Sequence, residues 1–269
     1  MAAAWQILAR TDQALAAVIR AVGPCPLEPS HRQPYEALLS AIAHQQLHGA
    51  AASAILARLA ALGGRNALPT PDEMLAHPEE ALRGAGLSRS KLLAMRDVAA
   101  KALDGTVPDL ATIQSLDDES IIERLTAVRG VGRWTAQMLL IGTLGRPDVM
   151  PADDFGVRLG YQWAYALDAM PTPRVLLDAT APFAPYRSTV ALYLWRYVDL
   201  RRADGSAPSA AAVRRPAPKK SSSGKAKGPK ARGLKAKGLK AKGLKATAPG
   251  SPRKKPGAAT RARKRAASG

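Results

Sequence analysis

The sequence predicts an all-α body followed by a basic tail, and three observations carry that prediction. Segment after segment of the first two hundred residues shows apolar positions at helical spacing, with caps at the ends, and none shows sustained period-two alternation. Proline and glycine fall where helices start and stop. The composition also changes after Arg202. Residues 1–204 hold 20 Lys and Arg against 21 Asp and Glu, whereas residues 205–269 hold 20 Lys and Arg and no acid. The formal charge of +19 therefore divides into a near-neutral body of −1 and a tail of +20.

In chain order, residues 5–22 read as one amphipathic helix closed by Gly23-Pro24. Pro34 opens a long apolar pattern that runs to Leu62 and stops at Gly63-Gly64. Thr70-Pro71-Asp72-Glu73 combines an N-cap, a proline at the first helical position and a glutamate three residues after the cap, which makes a capping box. Short helices over 71–76 and 78–83 and a longer one over 89–103 follow. Ser115 or Asp117 caps a helix that runs to Val128. A helix over 132–144 comes next, then one capped by Asp153 and ending near Ala166. Thr172-Pro173 and Pro185 open the last two.

Residues 204–269 are mostly Ala, Gly, Pro, Ser, Lys and Arg with no aromatic, and Gly233-Leu-Lys-Ala-Lys recurs from Gly238. A five-residue period suits neither a helical face nor a strand, so a disordered segment is expected there. Cys25 is the sole cysteine, which excludes a disulfide or a thiolate metal cluster within this chain. The first twenty residues carry Arg and Asp and lack a signal-type apolar run, and no stretch reaches membrane-spanning length. A cytoplasmic, chromosome-associated monomer with no membrane contact is expected.

The chemistry is concentrated between Leu125 and Val157. Arg129-Gly130-Val131-Gly132 makes a tight turn between two helices. Two glycines there permit positive φ and close approach of another chain. The amides of Val131, Gly132 and Arg133 fall at a helix N-terminus, where they suit an anion. The same turn also reads as an ordinary helix cap. Some twenty residues past the turn stand Asp153 and Asp154. His44-Gln-Gln-Leu-His48 imitates a zinc-protease helix, but Gln replaces the needed Glu and no third ligand follows, so zinc is not expected.

VRGVGRWTAQMLL and PADDFGV resemble the hairpin and the Pro-x-Asp loop of the helix-hairpin-helix DNA glycosylase superfamily, and GVGRWTA followed by DD is most similar to its DNA-3-methyladenine glycosylase II branch. YEALLSAIAHQQLHGAAA, GLSRSKLLAMRDVAAKALDG and APYRSTVALYLWRY agree in order, so the resemblance spans roughly residues 30–200. It implies two helical subdomains flanking a DNA-binding cleft, residues 1–203 forming the glycosylase domain and 204–269 the tail. It further implies a base-excision repair enzyme that flips alkylated purines such as 3-methyladenine from duplex DNA and hydrolyses the N-glycosidic bond, leaving an abasic site. A glycosylase for deaminated, etheno or mismatched bases, or a non-catalytic hairpin module, are the alternatives. Longer members place a β-rich domain first; this chain is expected to begin at the helices.

The resemblance also distributes roles. Asp154 is the expected catalytic group, with Asp153 the cap. Trp134, Trp195, Met138 and Gln45 are expected in the base pocket, and Gln46 or Leu47 fills the gap left by the flipped nucleotide. Gly130, Val131, Gly132, Arg133 and Thr135 are expected at DNA phosphates, with Arg158, Arg187 and Ser188 as further candidates. Members that also cut the strand carry lysine where Trp134 stands, so no lyase step is expected. No cofactor is required. The carbonyls of Thr126, Val128 and Gly130 are the expected seat of a structural Na⁺ or K⁺, and no iron–sulfur cluster is expected.

Overall fold

The computed structural model describes residues 3–47, 49–64 and 67–205, and among these every regular element is helical. Thirteen α-helices appear: α1 (Ala4–Thr11), α2 (Gln13–Val22), α3 (Pro34–His44), α4 (Gly49–Leu62), α5 (Pro71–Ala76), α6 (Glu79–Gly84), α7 (Arg89–Leu103), α8 (Leu110–Gln114), α9 (Asp118–Thr126), α10 (Arg133–Gly142), α11 (Phe155–Ala164), α12 (Pro173–Thr180) and α13 (Arg187–Ala203). A 3₁₀ turn, Ala181–Phe183, joins the last two.

They pack as two helical bundles. Helices α3 to α10 enclose one aliphatic core, including Leu38, Leu39, Met95, Ile121 and Leu140. Helices α1, α2 and α11 to α13 enclose the other, including Leu15, Ile19, Val157, Leu176 and Tyr193. The chain thus starts in one bundle, builds the second, and returns. Trp195 packs against both cores.

Local capping chemistry sets most boundaries. Thr70 and Glu73 form the expected capping box of α5, Ser88 caps α7, Asp117 caps α9 and Thr172 caps α12. Helix α7 spans its expected residues.

Four expectations are corrected. The first helix is two, because Asp12 leaves helical geometry at φ −145° and accepts the Leu15 N–H, capping α2. The apolar run from Pro34 is broken after His44, where Gln46 adopts φ 59°; a non-glycine residue in that region interrupts the helical ladder. A short helix, α8, stands where none is expected, capped by Asp109. The last helix opens at Arg187 rather than directly after Pro185, and it runs through Ala203 with Asp204 as its C-cap. The domain boundary expected at 203 therefore falls on the final helical residue. The segment 206–269, with the tail expected there, lies outside the described residues, as does His48.

Candidate active site and DNA interface

Helix α9 ends at Thr126, the chain turns through Gly130 at φ 77°, and α10 begins at Arg133. Only one of the two glycines is left-handed: Gly132 has φ −95° and serves as the N-cap of α10. The turn is pinned from below. Val131 is buried, and its N–H donates to the Val128 carbonyl at 3.1 Å, so this amide is not among the outward ones. Those of Gly132 and Arg133 have no partner among the described residues.

A residue that sequence reasoning missed holds the turn from α7. Asp97 Oδ2 accepts the Arg129 N–H at 2.7 Å, and the carboxylate is paired with Lys101 at 2.7 Å. Burial pushes this carboxyl up, but the Arg129 amide and the Lys101 ammonium together outweigh it and hold it below the usual carboxylate range.

The phosphate candidates separate by burial and pairing. Arg133 reaches the surface, where Glu119 engages it through two oxygens at 2.6 and 2.9 Å. Thr135 is 6% exposed and belongs to a cavity wall rather than to the outer surface. Arg187 is clamped by Asp148 at 2.7 and 2.8 Å, Ser188 is fully buried and donates to the Arg146 carbonyl at 2.6 Å, and Arg158 donates to the Pro171 carbonyl at 2.8 Å. These last three tie the fold together, and Ser188 offers no surface to DNA.

Beside the hairpin a cavity of about 520 Å³ opens between the end of α3 and the start of α10. Its walls include His44, Gln45, Gln46, Trp134, Thr135 and Met138. Gln45 Nε2 donates to the Gly130 carbonyl at 3.0 Å, tying the α3 terminus to the turn. Leu47 is exposed and stands outside that wall, as does Trp195. A second cavity of about 300 Å³, by Tyr35 and Pro108, holds none of the candidate site residues.

Asp154 is where the expectation and the structure differ most usefully. It is Asp154, not Asp153, that caps α11, its Oδ1 accepting the Val157 N–H at 2.8 Å. Asp153 is exposed. Asp154 Oδ1 also accepts the Trp195 indole N–H at 2.8 Å, and Oδ2 accepts that of Trp134, also at 2.8 Å. One carboxylate is therefore held by three N–H groups from three helices. It needs two close approaches. On α11 a Cβ at Gly156 would meet Trp195 Cδ1 at 2.9 Å, and one at Gly160 would meet the Leu194 carbonyl oxygen at 2.5 Å. This seam was missed by sequence reasoning; its one signal is the Gly156-x-x-x-Gly160 spacing, one helical turn apart on a single face.

A hairpin that offers bare amides, an adjoining cavity and a fixed carboxylate form one assembly, and comparison with known proteins places it. The sequence model for HhH-GPD superfamily base excision DNA repair proteins matches residues 39–183. The chain belongs to that superfamily. It is similar to DNA-3-methyladenine glycosylase 1 of Schizosaccharomyces pombe, 40% identical over 165 residues that cover 61% of this chain and 72% of that one. Among solved structures, the 3-methyladenine DNA glycosylase of Schizosaccharomyces pombe in complex with abasic DNA superposes with a TM-score of 0.65 at 36% identity, covering 72% of this chain and 95% of that one. A DNA-3-methyladenine glycosidase from Bacillus halodurans gives 0.64 at 33% identity, over 71% and 87%. An 8-oxoguanine glycosylase/lyase of Clostridium acetobutylicum shares the fold alone, at 18% identity and a TM-score of 0.61.

Among the described residues there is no group of three or more His, Cys, Asp or Glu that could hold a metal ion. No described helix is long and apolar enough to cross a membrane.

Proposed function

We propose that this HhH-GPD superfamily member is a monofunctional DNA N-glycosylase that hydrolyses the glycosidic bond of alkylated purines, 3-methyladenine among them, in duplex DNA. The observation that carries the proposal is the Asp154 carboxylate, fixed by two indoles, of which Trp134 also walls the cavity. Glycosylase activity in base excision repair agrees with the relatives named above.

The chemistry follows from charge. Flipping a base out of the stack costs a few kcal/mol, least where pairing is already weakened. The Gly132 and Arg133 amides suit a backbone phosphate beside the lesion, and Gln46 or Leu47, both exposed at the α3–α4 break, suits the vacated space. The face of Trp134 attracts electron-poor, cationic rings such as N-alkylated purines. As the glycosidic bond lengthens, positive charge develops on the sugar and Asp154 stabilises it. The alkylated base leaves as a neutral molecule, and water completes an abasic site.

An alkali ion fits the hairpin. The Val128 and Gly130 carbonyls each accept one hydrogen bond, from Val131 N–H and Gln45 Nε2, and so each keeps a lone pair. Together with the Thr126 carbonyl they would hold Na⁺ or K⁺, which would add positive charge near a bound phosphate.

Incubating the purified protein with methylated duplex DNA is expected to release free 3-methyladenine. Release only of etheno or deaminated bases would move the substrate class, and release of none would leave a binding module. With tryptophan in place of the Schiff-base lysine, borohydride is expected to trap no covalent adduct, and a trapped adduct would show a lyase. The tail is proposed to supply non-specific affinity as a chromosome-associated, cytoplasmic monomer searches DNA. Ending the chain at Gly205, past the α13 cap, is then expected to flatten the salt dependence of DNA binding. The log–log slope should fall by about 0.9 for each phosphate that the tail no longer neutralises, with single-turnover excision unchanged.

A further inference from the structure

The three hydrogen bonds to Asp154 are not equivalent. Each carboxylate oxygen offers about two acceptor positions. Oδ1 fills both, with the Val157 amide and the Trp195 indole. Among the described residues, Oδ2 accepts from Trp134 Nε1 alone. One acceptor position remains on the carboxylate, and it is on Oδ2.

The two indoles are held very differently. Trp195 is wedged against both cores. Trp134, by contrast, is 46% exposed, stands on α10 in the other bundle, and turns part of its ring into the cavity. Half-exposed, its ring is held less by packing than that of Trp195, and its indole N–H is tethered to Asp154. A base seated in the cavity would press on that ring, and the ring holds the carboxylate oxygen that, among the described residues, keeps an open acceptor position.

We infer that Trp134 is a positioning residue for the Asp154 carboxylate as well as a wall of the base slot, and that Oδ2 is the oxygen presented to the sugar. Filling the slot and placing the reacting oxygen are then one event transmitted through a single indole. A base that fits poorly leaves Oδ2 loosely placed, so selectivity is expressed in the bond-breaking step as well as in binding. This rests on the reading of Asp154 as the reacting carboxylate.

Trp134→Phe keeps the aromatic wall and deletes the N–H. A hydrogen bond to a charged group contributes about tenfold or somewhat more, so single-turnover excision at saturating enzyme is expected to fall by about tenfold to a hundredfold. Affinity for lesion-containing DNA should stay unchanged. Trp134→Leu, which removes wall and donor together, should lose both rate and affinity. In an Asp154→Asn background, Trp134→Phe should cost far less than in the native protein, because the carboxylate that it places is gone. Thermal melting of each variant confirms that it is folded. An unchanged saturating rate in Trp134→Phe, with or without a loss of affinity, or an equal rate loss in both backgrounds would each overturn the inference. Normal excision by Asp154→Asn alone would instead bring down the catalytic reading beneath it.

Discussion

The buried hydrophobic residues of the hairpin bundle are Leu, Ile, Val, Ala and Met, whereas those of the carboxylate bundle also include Tyr161, Phe183 and Tyr193. The aromatics of the second bundle carry hydrogen bonds as well as bulk. The Tyr193 hydroxyl accepts the Cys25 N–H at 3.0 Å and donates to the Gly23 carbonyl at 3.1 Å. Tyr165 donates to the cap residue Asp12 at 3.0 Å, and Trp195 donates to Asp154. Aliphatic packing fills space without specifying direction, while a hydrogen-bonded ring is fixed in orientation as well. The hairpin bundle has to present a backbone turn, and a rigid scaffold suffices for that. The carboxylate bundle has to aim two oxygen atoms, which needs directional bonds.

The largest effect that can break this comparison is chemical. Asp154→Asn removes the charge but retains a good N-cap, because Asn and Asp cap equally well. Single-turnover excision is expected to fall by about two orders of magnitude or more, the order seen when an electrostatic stabiliser of a transition state is lost, with lesion binding retained and the melting temperature modestly lower, because the amide NH2 cannot accept the Trp134 N–H. Asp153→Asn, at an exposed position, should excise normally. Equal losses from the two variants would erase the distinction between cap-plus-catalyst and bystander.

Next comes the α11–α13 seam. Gly160→Ala would drive a methyl group against the Leu194 backbone, and overpacking of this kind costs about 1–3 kcal/mol. Denaturant titration is expected to show that loss, accompanied by reduced excision as the helix bearing Trp195 moves away from Asp154. Wild-type stability would mean that the two helices separate easily and that the carboxylate is not rigidly aimed.

The smallest effect belongs to the hairpin side. Burial raises the folded-state Asp97 carboxyl, but the Arg129 amide and the Lys101 ammonium outweigh it and hold the group below its ordinary range. A depressed carboxyl stabilises the fold above its unfolded pKa of about 3.9, and that contribution is lost as pH falls from there through the lower folded value. With partial exposure and solvent screening, the contribution is about 1 kcal/mol or less. Native protein and Asp97→Asn are therefore expected to differ modestly in stability at neutral pH and to converge below pH about 4. A constant difference across that range would show that the carboxylate charge contributes nothing to holding the turn.

Much of the fold was legible because its signals are local. Caps such as Thr70, Ser88, Asp117 and Thr172 satisfy amides two or three residues away, so short stretches of sequence determine where α5, α7, α9 and α12 begin. The hairpin and the aspartate pair are local as well, and their residue types imply phosphate contact and charge stabilisation. Hydrophobic spacing could not reveal the break after His44, because the apolar pattern continues across it while Gln46 turns left-handed. Nor could sequence spacing decide which aspartate caps α11, since 153 and 154 are adjacent and equally suited to the task. That choice depends on Trp134 and Trp195, which lie 20 and 41 residues from Asp154 and reach it only after both bundles have packed. The sequence by itself determined an all-helical body, its hairpin, its carboxylates and the charge split at residue 204. Tertiary structure decided which carboxylate is held, by which donors, and which of its oxygens keeps an open acceptor position, because directional bonds between distant segments leave no period in the chain.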